Sequence, residues 1–449
     1  MKRFLVAALA SAALALPSPA SGQDGGGGAP PAPAPPAPAP APAAAAKKAL
    51  KEPSRQVADR IQESLKALFS GSGATRLSAQ AALDAALGEW AADAKEDPLR
   101  AVKWWRTALQ GTLSTAAPRT GLEERKVPYT EGKEARIWVS VPKGYSAKNT
   151  YPLVLAILDR DEDPRRAVPA AYGDLLKEFL VVAVSSNPKQ AGFDLVKEPW
   201  LLAVGLRHAV ETYRVDRDRI VLDGGPESAN LVLSLGAEWA IHFAGCVLRG
   251  PTESTPLATN LSLCATLAVP AEPSTEPQRK VLAELKVAVP EMTAVADAKA
   301  AAEAVQKWIA AVPPRRIANP ETASFTWKTR PQGGEPWAYW FWVFRAADAK
   351  KDRLVTLTIR RDAGGGTVDI TGDNLAEGIL LLNDDLLDLD RPVAVRFNAK
   401  EVWKGTPARK IQTALYWIGQ TGERTLFTPV EVRFTVPGGA PALPPPPPK

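Results

Sequence analysis

The residues that come closest to a catalytic motif are Gly224-Gly225-Pro226-Glu227-Ser228, which separate a short apolar run from a long helical pattern. A strand, a sharp turn and a helix present a serine nucleophile in the motif Gly-x-Ser-x-Gly. Aligned from Gly224, the nucleophile position holds Pro226 and the closing glycine position holds Ser228. Proline has neither a nucleophilic side chain nor a backbone N–H. We call residues 224–228 the elbow, after the nucleophile elbow of this motif, and predict that it is degenerate and has no catalytic residue.

Ser228 is the alternative nucleophile, displaced by two positions. A tight elbow needs small residues on both sides of the nucleophile, but Pro226 and Asn230 flank Ser228 at that distance. At the start of a helix, Glu227 and Ser228 would instead complement the helix dipole and accept hydrogen bonds from free N–H groups. The sequence favours this capping role.

Acyl transfer also needs a base and donors for the oxyanion. The chain has two histidines, His208 and His242, and both fall in helical patterns. His242 lies about 15 residues beyond the elbow, roughly 20 Å away at 1.5 Å per residue. Glu272 follows a later strand, where an acid could lie, but no histidine follows it for the acid to orient.

Acidic side chains follow two predicted strands, one at residues 151–158 and one before the elbow. They are Asp159, Asp161, Asp163, Asp223 and Glu227. Because ligands bind beyond the carboxyl ends of parallel strands, we predict a candidate ligand pocket there. Its residues are Asp159, Arg160, Asp161, Asp223 and Glu227. Such carboxylates could perform acid–base chemistry or hold a cation such as calcium, but a solvated acidic rim is favoured, and neither metal nor cofactor is predicted.

The elbow and the acidic residues lie within residues 118–315, where strand and helix patterns alternate. The strand-like runs are 137–141, 151–158, 179–184, 220–222, 244–248, 263–269 and 292–295. The helical patterns are 200–213, 227–242, 277–285 and 297–311. This alternation predicts an α/β domain with a doubly wound, mostly parallel sheet.

Regions of different character flank this domain. Residues 48–117 have helical periodicity, and we expect the Trp104-Trp105 pair to anchor a helix onto a neighbouring domain. Residues 316–437 have closely spaced strands and predict a β-sandwich-like accessory domain. The aromatic run 337–344 offers a candidate platform for stacking on sugars, although a central strand buried on both sides is favoured. The platform residues are Trp337, Tyr339, Trp340 and Trp342.

The chain ends predict export. Residues 1–22 have the pattern of a secretory signal peptide, 23–47 form a Gly/Pro/Ala-rich linker, and 438–449 are a Pro-rich tail expected to be disordered. No other apolar stretch is long enough to cross a bilayer. We therefore expect a periplasmic or extracellular protein without a transmembrane segment in the mature chain.

The composition argues against a nucleic-acid partner. The net charge of +6 falls to +4 when the signal peptide removes Lys2 and Arg3, and no basic block remains. The two cysteines, Cys246 and Cys264, each lie in an apolar run. They could pair in an oxidising compartment, but buried free thiols are favoured.

Residues 125–312 resemble the α/β-hydrolase superfamily, and in particular secreted esterases of the polyhydroxyalkanoate-depolymerase and feruloyl-esterase type. The resemblance rests on residues 136–145, 151–155, 213–220 and 243–246. It implies an oxyanion loop with His-Gly after the second of these runs, where this chain has 159–163, all charged. It also implies a catalytic histidine near 292–298, where none occurs. The catalytic motifs are therefore degenerate.

Three functions remain open at this point. The favoured one is a non-catalytic binding or scaffold component of the cell envelope, whose partner is an unknown protein or glycan. The second is a hydrolase with a non-standard carboxylate or metal site. The third is glycan binding through the C-terminal β domain.

Overall fold

A computed structural model describes residues 50–112, 119–195, 197–250, 252, 255, 257–269, 298–315, 324–330, 336–348, 350–362 and 365–437. The predicted signal peptide, linker and tail lie outside the described residues, as do Glu272 and the predicted elements at 277–285 and 292–295. Within the described part of the chain, no helix is long and apolar enough to cross a membrane.

Three helices form the N-terminal region: α1 (Arg55–Ser70), α2 (Gly73–Ala94) and α3 (Val102–Gln110). The Ser54 side chain caps α1 by accepting a hydrogen bond from the N–H of Val57. Trp105 of α3 is fully buried and stacks on Phe427 of the C-terminal region, with ring centroids 5.1 Å apart. Trp105 therefore anchors its helix as the sequence predicted.

A seven-stranded sheet follows, with its strands in the order β1-β2-β4-β3-β5-β6-β7. Its strands are β1 (Gly121–Thr130), β2 (Lys133–Val141), β3 (Tyr151–Leu158), β4 (Leu180–Ser185), β5 (Val215–Gly224), β6 (Gly245–Leu248) and β7 (Ala265–Ala268). β3 to β7 run parallel to one another, whereas β2 is antiparallel to β1 and to β4. The predicted doubly wound, mostly parallel sheet is confirmed.

Helices cover both faces of this sheet. They are α4 (Pro164–Tyr172), α5 (Pro188–Ala191), α6 (Leu202–Thr212), α7 (Ala229–Glu238) and α8 (Ala298–Ala311). Alternate residues of β3 enter different cores: Leu155 packs in the cluster that contains α6 and α7, and Val154 packs in the one that contains α4 and α8. The chain runs from β3 to β4 on one side and returns to β5 on the other. The ligand crevice of such a sheet lies at this reversal.

The C-terminal region packs two β-sheets, ordered β16-β13-β10-β9 and β15-β14-β12-β11-β8. The strands are β8 (Ser324–Thr329), β9 (Trp337–Ala338), β10 (Phe341–Ala346), β11 (Arg353–Asp362), β12 (Gly365–Gly372), β13 (Leu375–Leu382), β14 (Val393–Phe397), β15 (Lys400–Gly405) and β16 (Val430–Thr435). All described pairs are antiparallel except β12 with β14. One helix, α9 (Ile411–Thr421), packs against the N-terminal helices. The predicted β-sandwich-like region is confirmed.

The aromatic run 337–344 is not the single strand that the sequence favoured. β9 and β10 form a tight antiparallel hairpin in which Ala338 pairs with Phe341. Tyr339 adopts the left-handed conformation, with φ of 52°, and lets the chain reverse between them. Apolar and aromatic side chains throughout the run predicted burial on both sides, but gave no signal for a turn, since glycine or asparagine usually occupies such a position.

The α/β sheet and the C-terminal β region share one hydrophobic core. A continuous cluster of buried side chains runs from the sheet face that α6 and α7 cover to the strands of both C-terminal sheets. Asn260, fully buried, connects the two regions: its amide donates to the carbonyls of Ala237 and Lys328 and accepts from the N–H of Lys328. The Tyr339 hydroxyl adds a bond to the carbonyl of Leu263.

A buried ion cluster reinforces the same interface. Arg315 contacts the carboxylates of Asp218 at 3.0 Å and Glu423 at 3.1 Å, and Arg217 reaches Glu423 at 3.2 Å. Burial alone would raise the pKa of Glu423, but the charges of Arg315 and Arg217 lower it well below its usual value.

We predict that Glu423→Gln destabilises the protein by roughly 3–5 kcal/mol at pH 7, because it leaves buried Arg315 incompletely compensated. A carboxylate with a lowered pKa stabilises the fold above its unfolded pKa, and this contribution is lost as pH falls through its folded pKa. The variant should therefore lose less stability than the parent between pH 5 and pH 2. Urea unfolding across this range measures the effect, with exposed Glu401→Gln as control. Parallel pH profiles for Glu423→Gln and the parent would contradict the assignment.

Candidate functional site

The elbow is a strand end followed by a 3₁₀ turn. Gly224 is the last residue of β5, Pro226–Ser228 form the turn, and α7 begins at Ala229. Proline is held near a φ of −65°, and no described residue from 224 to 228 has a positive φ. The turn therefore lacks the strained residue on which a serine nucleophile is presented.

A carboxylate from the neighbouring strand fills the elbow. Asp159, which follows β3, accepts hydrogen bonds from the N–H of Glu227 at 3.3 Å and from the hydroxyl of Ser228 at 3.1 Å. A Cβ added at Gly225 would lie 2.4 Å from this carboxylate, so only glycine allows the approach. The Glu227 N–H occupies the position of an oxyanion donor, the residue after the nucleophile. Asp159 thus holds the donor that an oxyanion would need.

Partial burial raises the pKa of Asp159, and the two hydrogen bonds from the elbow oppose this effect. Glu162 closes the loop by accepting a hydrogen bond from the backbone N–H of Asp159 at 2.9 Å. Burial, and then the charge of Asp159, also raise the pKa of Glu162. Two acidic groups with raised pKa values therefore lie side by side at the sheet edge.

The structure corrects the role predicted for Ser228. Its hydroxyl does not cap α7 but donates to Asp159, and the side chain is 4% exposed. The two histidines lie elsewhere: His208 contacts Thr212 on α6, and His242 lies 3.5 Å from the carboxylate of Glu423. Ser228 therefore has a carboxylate as its hydroxyl partner rather than an imidazole.

A second buried group lies behind the elbow. Arg249, which follows β6, forms a bidentate pair with Asp223, with distances of 2.9 Å and 2.6 Å, and the Tyr172 hydroxyl donates to Asp223 at 2.9 Å. Burial, and then the charge of Asp223, raise the pKa of Tyr172 well above its usual value. Gly250 packs against the carbonyl of Pro226, where a Cβ would lie 2.4 Å away. The segment after β6 is thereby fixed on the elbow.

The predicted pocket residues divide into two groups. Asp159, Asp223 and the backbone of Glu227 belong to the site. Arg160 and Asp161 are exposed, and Asp163 caps α4 by accepting from the N–H of Arg165. Within the described ranges, no group of three or more His, Cys, Asp or Glu residues is arranged to hold a metal ion. The acidic residues that follow the two strands therefore have separate structural roles.

The predicted aromatic platform does not exist as an exposed surface. Trp337, Tyr339 and Trp340 are each at most 5% exposed. Trp342 is partly buried and packs on Trp417, with ring centroids 4.9 Å apart. These rings are core and interface residues, which removes the observation behind glycan binding through this run.

Sequence reasoning missed three residues of the site: Arg249, Tyr172 and Glu162. A signal for Arg249 was present, because an acid at the end of a buried strand needs a cation, and Arg249 directly follows the adjacent parallel strand. No comparable signal marked Tyr172, which approaches from the end of a helix 51 residues away along the chain.

The strand order and directions of the sheet, with a turn and helix after β5, confirm the resemblance at the level of the fold. The fold is that of an α/β-hydrolase. No protein-family profile and no curated protein matches the chain.

Solved structures that are similar to part of the chain include esterases. A thermostable esterase is 20% identical with a TM-score of 0.31; the match covers 37% of this chain and about half, 53%, of that protein. Est1E from Butyrivibrio proteoclasticus is 11% identical with a TM-score of 0.33, covering 42% of this chain and 98% of that one. S-formylglutathione hydrolase from Staphylococcus aureus is 12% identical with a TM-score of 0.31, covering 43% and 99%. The likeness concerns the fold alone.

We predict that Asp159→Ala costs about 1–3 kcal/mol, because the Glu227 N–H and the Ser228 hydroxyl lose their acceptor. Asp159→Asn keeps an acceptor and removes a charge, so it should cost less. An acid with a raised pKa stabilises the fold at low pH and loses this contribution as pH rises through its folded pKa. The stability of Asp159→Asn relative to the parent should therefore improve from pH 4 to pH 7.

Urea unfolding at both pH values measures these differences, and exposed Asp161→Ala should stay within about 0.5 kcal/mol of the parent. Equal stability of the Asp159→Ala and Asp161→Ala variants would show that the Asp159 contacts contribute nothing.

For the buried pair, Asp223→Leu and Arg249→Leu should each cost roughly 3–5 kcal/mol, because each leaves a buried charge uncompensated. The double variant should cost clearly less than the sum. A double-mutant cycle measured by urea unfolding, with exposed Arg160→Leu as control, tests this coupling. Additive costs would mean that the two charges do not interact.

Proposed function

We propose that this protein is a non-catalytic α/β-hydrolase-fold protein, exported to the cell envelope, where it acts as a binding or scaffold component. The observation that carries the proposal is the Asp159 carboxylate, which accepts the N–H of Glu227 and the hydroxyl of Ser228. The chain's own anion thus occupies the place that acyl transfer reserves for the reacting oxyanion.

Electrostatic repulsion disfavours formation of an oxyanion at this elbow. Two unit charges of like sign about 4 Å apart repel by roughly 4 kcal/mol at an effective dielectric constant of about 20, so an oxyanion beside ionised Asp159 would be destabilised. Loss of one oxyanion-hole donor costs about 3–4 kcal/mol in known enzymes. Repulsion by Asp159 and occupation of the Glu227 N–H act in the same direction, against a tetrahedral intermediate.

Activation of Ser228 is also unsupported. A serine nucleophile needs a base that takes its proton and is itself oriented by a third group. Asp159 is the only hydrogen-bond partner of this hydroxyl among the described residues, and a carboxylate is a weak base for an alcohol. The buried Ser228 side chain also leaves little room for a substrate carbonyl.

A scaffold role is supported by the way the folded regions are joined. The α/β sheet and the C-terminal β region share one core, and the N-terminal helices pack on α9 and Phe427. The predicted linker before them would extend on the order of 50 Å as a stiff Pro/Ala spacer. A rigid folded unit on a long spacer suits a component that is held away from its attachment point.

The full chain should hydrolyse p-nitrophenyl acetate and butyrate no faster than buffer does. Ser228→Ala and exposed Ser234→Ala provide the matched variants, and an active esterase serves as positive control. Turnover above background that Ser228→Ala abolishes and Ser234→Ala preserves would overturn the proposal.

Intact mass measurement tests export: protein from the periplasmic or extracellular fraction should lack residues 1–22. Full-length protein confined to the cytoplasm would refute export.

A further inference from the structure

The two cysteines of the chain meet inside the α/β sheet. Cys246 lies within β6, and Cys264 lies immediately before β7, the strand beside it. Both are free thiols with relative exposures of 0% and 6%, and their Sγ atoms are 3.8 Å apart. The two sulfurs, one within β6 and one directly before β7, are therefore in contact.

The surrounding residues accommodate the sulfurs. A Cβ at Gly236 of α7 would lie 2.7 Å from the Sγ of Cys246, so glycine leaves the space that this sulfur occupies. The thiol of Cys264 points to the carbonyl of Leu261 at 3.8 Å. A disulfide needs an S–S distance of about 2.05 Å, so the sulfurs must approach by a little under 2 Å. Among the described strands, β7 is at the edge of the sheet and pairs only with β6.

We propose that Cys246 and Cys264 are a modification site: a dithiol oxidised to an intrachain disulfide by a disulfide-carrying thiol oxidoreductase after export. The inference rests on the export included in the proposed function, because disulfides form and persist in oxidising compartments.

The exchange is balanced as two successive displacements. One cysteine thiolate attacks the disulfide of the oxidoreductase, which forms a mixed disulfide and releases one oxidoreductase thiolate. The second cysteine thiolate then attacks the cysteine sulfur of the mixed disulfide, forming the Cys246–Cys264 bond and releasing the other oxidoreductase thiolate. Two electrons pass to the oxidoreductase, and the two cysteine protons end on its thiols.

Oxidation takes place before β6 and β7 are enclosed. In the folded chain, the hydrogen bond with Cys264 and then burial raise the pKa of the Cys246 thiol well above its usual value. The thiolate is the reacting species, so enclosed Cys246 reacts slowly with any external disulfide. The bond therefore forms during folding.

The disulfide would close the segment that carries Arg249 and Gly250. These residues hold Asp223 and pack on Pro226, so the ring from 246 to 264 includes one wall of the filled elbow. A cross-link across such a ring restricts the unfolded chain and stabilises the fold. It would fix the Arg249 segment on the elbow more firmly than packing alone.

The experiment counts thiols in the full chain by alkylation with N-ethylmaleimide in denaturant, with and without prior reduction, followed by intact mass measurement. Protein refolded in oxidised and reduced glutathione should take up no label without reduction and two labels after it. Its thermal midpoint should fall by roughly 5 °C on reduction, whereas that of Cys246→Ala/Cys264→Ala should not respond. Two labels without reduction after oxidative refolding would overturn the proposal.

Protein isolated from the exporting cell separates this inference from the function on which it rests. Absence of label before reduction supports both the site and the oxidising compartment. Two labels in cell-derived protein, with none in the oxidatively refolded protein, would sustain the site and refute export. After reduction, single Cys246→Ala and Cys264→Ala variants should each take up one label, which verifies the count.

Discussion

The arrangement at the sheet edge depends on one contact, the Asp159 carboxylate against the backbone of Gly225. The approach is possible only without a Cβ, and it supplies the acceptor for the Glu227 N–H and the Ser228 hydroxyl. In an enzyme of this fold, the backbone N–H at the position of Glu227 stabilises negative charge that develops during reaction. Here the acceptor of the Glu227 N–H is a carboxylate of the chain itself. The Asp159 contacts join β3 to the turn after β5, at the reversal of strand order where other proteins bind ligands.

The buried pair of Asp223 and Arg249 extends this joint to the next strand. Asp223 is enclosed at the end of β5, and the guanidinium of Arg249 neutralises it from the end of β6. Buried ion pairs contribute little net stability, but breaking one is costly. The Asp223–Arg249 pair fixes the position of the segment after β6, because this segment must lie over the elbow for the pair to form. The site is therefore filled from both sides by the protein's own charges.

The sequence predicted most of the fold because apolar periodicity reports burial directly. The apolar runs 151–158 and 179–184 became the central parallel strands β3 (Tyr151–Leu158) and β4 (Leu180–Ser185). Prediction was wrong where the determining contact is distant in sequence. Ser228 was assigned a capping role because its partner Asp159 lies 69 residues away, and the aromatic run gave no sign of its hairpin because Tyr339 adopts a conformation usually left to glycine or asparagine.

The continuous core shared by the α/β sheet and the C-terminal β region has a consequence for the history of the chain. Strand residues from both regions contribute to one apolar cluster, and Asn260 supplies the backbone of β8 with partners that a free strand would seek in water. Loss or exchange of either region by itself would expose apolar surface on the part left behind.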